Sequence, residues 1–173
     1  PIICVGNIYI GGTGKTPLSI YIYNFLKKNK LKPALIRKYY KSHIDEIDLT
    51  KSKVKSAYFE KNRVNSILNA EQNGNNVIIM DDGFQDRNIQ KNLSIICFNS
   101  MELIGNGFLL PSGPLREPFK SIRKAQIIII NGKRNIAFEK KIKFQSKDIK
   151  LFYSKYKLKK IDRFRNKKIL TFA

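Results

Sequence analysis

Short apolar runs alternate with longer amphipathic stretches along most of the chain. The apolar runs predict strands, and they cover residues 2–5, 33–36, 57–59, 77–80, 95–98 and 127–130. Two amphipathic stretches, 15–29 and 62–72, predict helices, and a shorter helix is expected to end near Ala125. Continuously apolar strands that alternate with helices are typical of a parallel sheet covered on both faces. The pattern therefore predicts an α/β fold with a largely parallel sheet flanked by helices.

The first predicted helix carries apolar residues at helical spacing. Pro17 suits the first turn, where a missing backbone N–H costs little. The residues expected on the inner face are Leu18, Tyr21, Ile22, Phe25 and Leu26.

A different pattern begins near Gly132, where basic and apolar residues alternate loosely, most clearly in 149–156. Such alternation predicts a β-ribbon or an edge strand, on which lysines also discourage pairing with other chains. We therefore expect a core over residues 1–132 and a basic extension over 133–173.

A glycine-rich turn lies between the first strand and the first helix. It reads Tyr9-Ile10-Gly11-Gly12-Thr13-Gly14-Lys15-Thr16. Glycines let backbone N–H groups surround a polyphosphate, the lysine places a charge on its outer phosphates, and the threonine hydroxyl is a ligand for Mg²⁺. Tyr9 stands where the usual pattern has a glycine, so the match is partial. The turn nevertheless predicts an ATP-binding loop on a fold like that of the P-loop NTPases.

A second motif supplies carboxylates at the end of another apolar run. Asp81 and Asp82 follow the strand predicted at 77–80. Ligands of open α/β sheets bind at the carboxyl ends of the strands, so we expect this pair to face the glycine-rich loop. Acidic residues before a glycine also form ordinary turns. The pairing with the loop favours a Mg²⁺ site formed by Thr16 with Asp81 or Asp82, and we assign Asp81 as the ligand.

The chain is strongly basic, with a formal net charge of +21 over 173 residues. Residues 133–173 carry 15 Lys and Arg against 3 Asp and Glu, a net of +12. Such an excess attracts anionic lipid, nucleic acid or a phosphorylated substrate, although abundant Lys, Asn and Ile throughout could equally reflect biased coding. No recognised nucleic-acid-binding module accompanies the charge, so no nucleic acid partner is expected.

Other features set broad limits. Cys4 and Cys97 lie in separate apolar runs without metal-site spacing, so we expect buried, reduced thiols. The sequence has no run of about 18 apolar residues, so no segment of it is predicted to span a membrane. It begins with Pro1 inside a predicted strand and ends in an apolar run, so we expect a fragment of a longer protein.

Four motifs in order resemble the tetraacyldisaccharide 4'-kinases, which phosphorylate a lipid A precursor. They are Val5-Gly6-Asn7 leading into the glycine-rich loop through Pro17, Asp81-Asp82-Gly83-Phe84-Gln85, the segment 110–118 (LPSGPLREP), and the strand that ends at Asn131. The second and third are much more specific than a phosphate loop. The resemblance covers nearly the whole chain and is weakest after Gly132.

The resemblance implies an ATP- and Mg²⁺-dependent kinase with an acylated disaccharide phosphate as its lipid substrate. It also implies a peripheral position on the cytoplasmic face of the bacterial inner membrane. Lys15 and Asp82 would act in catalysis together with Asp45, which would accept the proton of the sugar hydroxyl. Substrate binding would involve Arg37, Gln85 and Arg116, of which the arginines suit phosphate.

The sequence departs from the family pattern at several positions. The usual Ser-Arg-Gly-Tyr-Gly is 36–40 (IRKYY), Gly-Asp-Glu-Pro is 44–47 (IDEI), and the histidine after the Asp-Asp-Gly-Phe-Gln motif is Asp86. His43, the only histidine, either orients the segment before Asp45 or is simply exposed. The family also has an N-terminal membrane helix and a C-terminal domain that these residues do not match, so the fragment alone is not expected to be active.

Two other functional classes remain open from the sequence. A regulatory or targeting ATPase with a similar loop would carry a lysine just before the first glycine, where this chain has Ile10. A nucleic-acid-binding protein would explain the charge but leaves the Asp-Asp-Gly-Phe-Gln motif without a role.

Overall fold

Seven parallel strands form one sheet in the computed structural model, which describes residues 1–40 and 44–156. The strands are β1 (Ile2–Gly6), β2 (Pro33–Lys38), β3 (Ala57–Glu60), β4 (Val77–Asp81), β5 (Leu93–Asn99), β6 (Ile127–Asn131) and β7 (Lys150–Ser154). Their order across the sheet is β3-β2-β4-β1-β5-β6-β7. The predicted α/β fold with a parallel sheet is confirmed, and each predicted strand is present.

Four α-helices and one 3₁₀ helix connect the strands. They are α1 (Lys15–Lys28), α2 (Ile44–Lys53), α3 (Arg63–Gln72), α4 (Ile136–Gln145) and the 3₁₀ helix Phe119–Lys124. The predicted helices correspond to α1, α3 and the 3₁₀ helix. The sequence pattern missed α2, because only Ile47 and Thr50 of its residues are buried and its apolar stripe is too narrow to detect.

The first helix is rotated relative to the prediction. Its buried residues are Ser19 and Tyr23, whereas Tyr21 and Phe25, expected on the inner face, are 67% and 56% exposed. The cause is a polar contact: the Ser19 hydroxyl donates to the Asp81 carboxylate at 3.1 Å, which turns that side of α1 toward β4. The predictions for Tyr21 and Phe25 were therefore wrong, because a buried acid outweighed the apolar pattern.

Between Gly132 and residue 156, the last described residue, the chain does not form a ribbon. Residues 136–145 form α4, which buries Phe138 and Ile142, and β7 then joins β6 as a parallel edge strand. The edge-strand alternative is correct and the β-ribbon is wrong as far as residue 156. Clustered lysines concealed the helix, because α4 has only two buried residues among its ten. The predicted boundary at residue 132 stays a prediction.

The core is formed by the central strands and the elements packed on them. Ile96, Ile128 and Ile142 are fully buried in one cluster. Cys4 and Cys97 are free and buried as expected, and burial raises the pKa of both thiols to about 12, so they are protonated at neutral pH. No helix in the described part of the chain is long and apolar enough to cross a membrane.

Two isoleucines of α4 test whether this helix belongs to the core. Ile142→Ala removes a side chain with no exposed surface and should lower the free energy of unfolding by about 2–5 kcal/mol. Ile136, on the same helix, is 60% exposed, and Ile136→Ala should change it by less than about 0.5 kcal/mol. Urea unfolding followed by circular dichroism measures both values, and equal effects would contradict the packing of α4.

Candidate active site

The glycine-rich turn joins β1 to α1 and lines a cleft of about 610 Å³. Gly14 is the N-cap of α1 and has a left-handed φ of 84°, a conformation that glycine adopts without strain. Lys15 and Thr16 open the helix, so their backbone N–H groups are among the unpaired donors of a helix N-terminus. All the predicted loop residues from Tyr9 to Thr16 line the cleft.

Tyr9 has a structural role that explains its departure from the usual pattern. Its side chain is 1% exposed and stacks on Phe98 with the ring centroids 5.8 Å apart. Its hydroxyl accepts a hydrogen bond from the backbone N–H of Asn99 at 2.7 Å, and burial raises its pKa to about 12. The side chain of Tyr9 therefore packs into the core and anchors the loop there, which a glycine could not do.

The loop also packs closely against the turn after β4. A Cβ atom added to Gly6 would lie 2.5 Å from the Cβ of Phe84, so only glycine fits here. Gln85 Nε2 donates to the backbone oxygen of Asn7 at 2.8 Å. The structure thus gives Gln85 a contact with the loop backbone. Its predicted role in substrate binding stays a prediction.

Asp81, at the end of β4, is fully buried and is contacted by side chains from two other elements, α1 and β2. Thr16 Oγ1 and Ser19 Oγ of α1 each donate to its carboxylate at 3.1 Å, and Arg37 Nη1 of β2 lies 3.3 Å from Oδ2. Burial raises the pKa of Asp81, and the positive charges of Arg37 and Lys15 oppose that rise. The expected proximity of Thr16 and Asp81 is therefore present.

Asp82 points to a different part of the cleft. Its backbone is left-handed, with φ of 53°, and its carbonyl accepts from Arg63 at 2.6 Å. Its Oδ1 lies 2.9 Å from Arg116 Nη1 and 4.0 Å from Lys15 Nζ. Burial raises the pKa of Asp82, but the positive charges of Lys15 and Arg116 outweigh burial and lower it below its usual range. Asp82 is thus held ionised beside Lys15.

The remaining predicted residues lie at the rim of the cleft or outside its lining. Arg37 forms an ion pair with Glu46, which lies in the first turn of α2 and lines the cleft. Asp45, its neighbour on that turn, is exposed and does not line the cleft. His43 lies outside the described residues. The structure brings Lys15, Thr16, Arg37, Asp82 and Arg116 together and leaves Asp45 apart.

Arg116 also borders a second hollow of about 450 Å³ beside the cleft. Lys38, Arg63 and Arg87 contribute to the same hollow, and Arg63 pairs with Asp86 at 3.3 Å. Asp86 therefore has a partner where the family pattern has a histidine.

Several site residues were not predicted. Ser19 follows Thr16 by three positions, a helical spacing that could have signalled a shared partner. Asn131, at the end of β6, and Tyr156, just beyond β7, reach the loop from distant parts of the sequence. A Cβ added to Gly14 would lie 2.9 Å from Asn131 Nδ2 and 2.6 Å from the Tyr156 hydroxyl oxygen. No local pattern indicated these contacts.

Thr16 Oγ1 and Asp81 Oδ2 are the oxygen atoms that would hold a magnesium ion. In this structure both are engaged by Arg37, whose Nη1 lies 3.1 Å from Thr16 Oγ1 and 3.3 Å from Asp81 Oδ2. Hydroxyl and carboxylate oxygens are ligands that Mg²⁺ prefers. Across residues 1–40 and 44–156, no three His, Cys, Asp or Glu side chains are grouped to hold a metal.

The adjacent aspartates should affect stability with opposite dependence on pH. A raised pKa means that the folded state disfavours the charged form, so the ionised Asp81 costs stability as pH rises above its usual pKa of 3.8. The free energy of unfolding of Asp81→Asn, relative to that of the wild type, should therefore increase as the pH rises from 3 to 7. Unfolding in urea with EDTA present gives the difference in free energy at each pH.

Asp82→Asn is the matched comparison. In the wild-type protein the folded state lowers the pKa of Asp82, so ionised Asp82 stabilises the fold above its usual pKa of 3.8. This stabilisation is lost as the pH falls through the lowered pKa of the folded state. The free energy of unfolding of Asp82→Asn, relative to that of the wild type, should decrease as the pH rises from 3 to 7. A pH dependence of the same sign in both variants would contradict the two environments.

Comparison with known proteins agrees with this architecture. The family model described as tetraacyldisaccharide-1-P 4'-kinase (LpxK) matches residues 1–173. The tetraacyldisaccharide 4'-kinase of Pelagibacter ubique is 42% identical over 164 residues, covering 94% of this chain and 52% of that protein. The enzyme of the same name from Shewanella halifaxensis is 31% identical over 163 residues, covering 84% and 49%. The chain thus spans about half the length of these relatives.

Solved structures show the same fold. LpxK from Aquifex aeolicus, solved in complex with ATP, superposes with a TM-score of 0.65 and 22% identity over 90% of this chain and 70% of that one. The hydrogenase maturation factor HypB from Archaeoglobus fulgidus gives a TM-score of 0.58 and 14% identity over 89% and 80%. The fold is that of the P-loop NTPases. With its loop, its paired aspartates and a family match along its whole length, this chain belongs to the tetraacyldisaccharide-1-phosphate 4'-kinase family.

Proposed function

We propose that this protein is an ATP-dependent kinase that phosphorylates the 4'-hydroxyl of a tetraacyldisaccharide 1-phosphate, giving lipid IVA. The observation that carries the proposal is the contact of Thr16 with Asp81 at 3.1 Å beside the Lys15–Asp82 pair, in a member of this family. ATP is the expected donor because the loop and the start of α1 suit a polyphosphate, and a related LpxK was solved with ATP.

Each predicted residue has a proposed role in the transfer. The loop from Tyr9 to Thr16 binds the triphosphate, and Lys15 places its charge on the outer phosphates. Thr16 and Asp81 hold Mg²⁺, which supplies charge neutralisation at the phosphates. Asp82 is held ionised and orients Lys15 and Arg116.

The acceptor must lose a proton as its oxygen attacks the γ-phosphorus and ADP leaves. We assign Asp45 as the base that takes this proton, on the family resemblance and on its position in the first turn of α2. Its neighbour Glu46 is engaged with Arg37 and is therefore less free to act. Asp45 is exposed, so the acceptor would approach it from the open side of the cleft.

Positive side chains suit the phosphate already on the acceptor. Arg116 is 31% exposed and borders both hollows, so it can reach an incoming phosphate while it stays near Asp82. Arg37 is 8% exposed and engaged by Asp81 and Glu46, so its contact with substrate requires these pairs to open. Gln85 lies in the second hollow beside Arg116 and completes the proposed acceptor site.

The alternative classes fit less well. Ile10 occupies the position where a regulatory ATPase of this type carries a lysine, and the family match extends over the whole chain. A nucleic-acid-binding role has no support beyond the net charge of +21.

A lipid substrate places the reaction at a membrane, and we propose that the protein lies peripherally on the cytoplasmic face of the inner membrane. Lys140 and Lys141 of α4 are exposed within the basic extension proposed to start at residue 133. Each lysine near an anionic leaflet contributes roughly 1 kcal/mol. The extension would then hold the nucleotide-binding core at the surface that contains the acceptor.

A phosphotransfer assay on the complete protein can distinguish the roles proposed for Lys15, for Asp81 as a metal ligand and for Asp45 as the base. Lys15→Ala and Asp81→Ala should each lower kcat by about 10³-fold or more, because charge stabilisation of the phosphoryl group is lost. Asp45→Asn should lower kcat by about 10²–10⁴-fold with little change in KM. The controls Lys28→Ala and Asp48→Asn alter exposed charges on α1 and α2. Near-normal turnover in Lys15→Ala would contradict the kinase assignment.

Binding to vesicles tests the membrane role. The protein should sediment with vesicles of phosphatidylglycerol and phosphatidylcholine, and less with phosphatidylcholine alone. Replacing Lys140 and Lys141 by Gln should weaken binding to the anionic vesicles about 30-fold, because each lysine contributes roughly 1 kcal/mol. The double replacement of Lys27 and Lys28, exposed on α1, is the matched control. Equal binding to both kinds of vesicle would contradict an electrostatic attachment.

A further inference from the structure

The order of the strands gives the bound triphosphate a direction. The loop follows β1, which lies between β4 and β5. The groups that serve the outer phosphates lie on the β4 side, where Asp81 contacts Thr16 and Asp82 lies 4.0 Å from Lys15. A triphosphate on the loop would therefore have its terminal phosphate toward β4. Its nucleoside end would extend to the other side of the loop, over the carboxyl ends of β5, β6 and β7.

Three side chains approach the loop from that other side. Asn99, the last residue of β5, donates through Nδ2 to the carbonyl of Gly12 at 3.5 Å. Asn131, the last residue of β6, brings Nδ2 within 2.9 Å of the Cβ position of Gly14. Tyr156 lies two residues beyond β7, and its hydroxyl oxygen is 2.6 Å from the same position. All three side chains therefore lie beside the glycines of the loop, on its β5 side.

Tyr156 differs from the other two in what it exposes. It lines the cleft together with the loop, yet 65% of its surface is accessible. Its hydroxyl reaches Gly14 while most of its ring is uncovered. Aromatic rings placed in this way form sequence-tolerant platforms on which bases stack.

We propose that the ring of Tyr156 is the platform for the adenine base of ATP. The nucleoside then lies over β5, β6 and β7, and the acceptor lies over β4 and β2, near Arg37 and Arg116. This inference rests on the proposed kinase function and adds the base-binding residue and the division of the cleft between donor and acceptor.

Two ligands distinguish a base contact from a phosphate contact. Titration calorimetry with ATP–Mg²⁺ and with inorganic tripolyphosphate–Mg²⁺ measures each affinity. Tyr156→Ala should weaken ATP binding roughly 5- to 100-fold and leave tripolyphosphate binding unchanged, because tripolyphosphate has no base. Tyr156→Phe should retain most of the ATP affinity. Tyr21→Ala, which removes an equally exposed tyrosine on α1, should change neither affinity.

A second measurement uses the absence of tryptophan from this chain. In Tyr156→Trp, ATP should alter the indole fluorescence by stacking, and tripolyphosphate should not. The control is Tyr21→Trp, whose fluorescence neither ligand should change.

The possible outcomes separate the inference from the function on which it rests. Unchanged ATP affinity in Tyr156→Ala, or equal losses for ATP and tripolyphosphate, would overturn the platform while leaving the kinase intact. Equal losses in the Ala and Phe variants would show that the hydroxyl, not the ring, makes the contact, and would also overturn it. A wild-type protein that binds neither ligand would overturn the proposed function and this inference together.

Discussion

The buried carboxylate of Asp81 is the constraint on which the site depends. An ionised group with no exposed surface is stable only when hydrogen bonds and opposite charge replace water. Thr16 and Ser19 supply hydroxyl donors from α1, and Arg37 supplies the charge from β2. One side chain thereby fixes how α1, β2 and β4 lie relative to one another. The same contacts fix the position of the Thr16 hydroxyl beside the carboxylate.

The cleft around this carboxylate is assembled from both sides of β1. On the β4 side of the cleft, charged side chains form ion pairs, among them Lys15 with Asp82 and Arg116 with Asp82. The other side presents the amides of Asn99 and Asn131 and the ring of Tyr156. Glu102, just beyond β5, brings a carboxylate oxygen within 2.9 Å of the Cβ position of Gly11 on this side. The two sides of the cleft therefore differ mainly in the arginines and the lysine on one side and the amides and the exposed ring on the other.

Much of the fold could be predicted from local pattern, because buried parallel strands are continuous apolar runs. The loop and Asp81 were recognisable for a similar reason, since both are short motifs next to strands. The prediction failed where a tertiary contact overrode the pattern, as when Ser19 turned α1 toward Asp81 and left Phe25 exposed. It also failed for α4, whose lysines concealed a two-residue apolar stripe. Tyr156 could not be found, because its relation to Gly14 exists only in three dimensions.

The attachment of the loop to distant residues has a consequence for how the protein folds. The segment from Asn7 to Thr16, which includes the glycine-rich turn, is contiguous in sequence, yet its contacts reach residues far along the chain. They join Thr16 to Asp81, Asn7 to Gln85 and Asn7 to Arg116, with separations of 65, 78 and 109 residues. Contacts between residues so far apart in sequence form only after the intervening chain has closed into a loop, which slows folding. An isolated peptide with this motif would lack these partners. We therefore expect the loop to reach its final geometry late in folding, after the central strands have assembled.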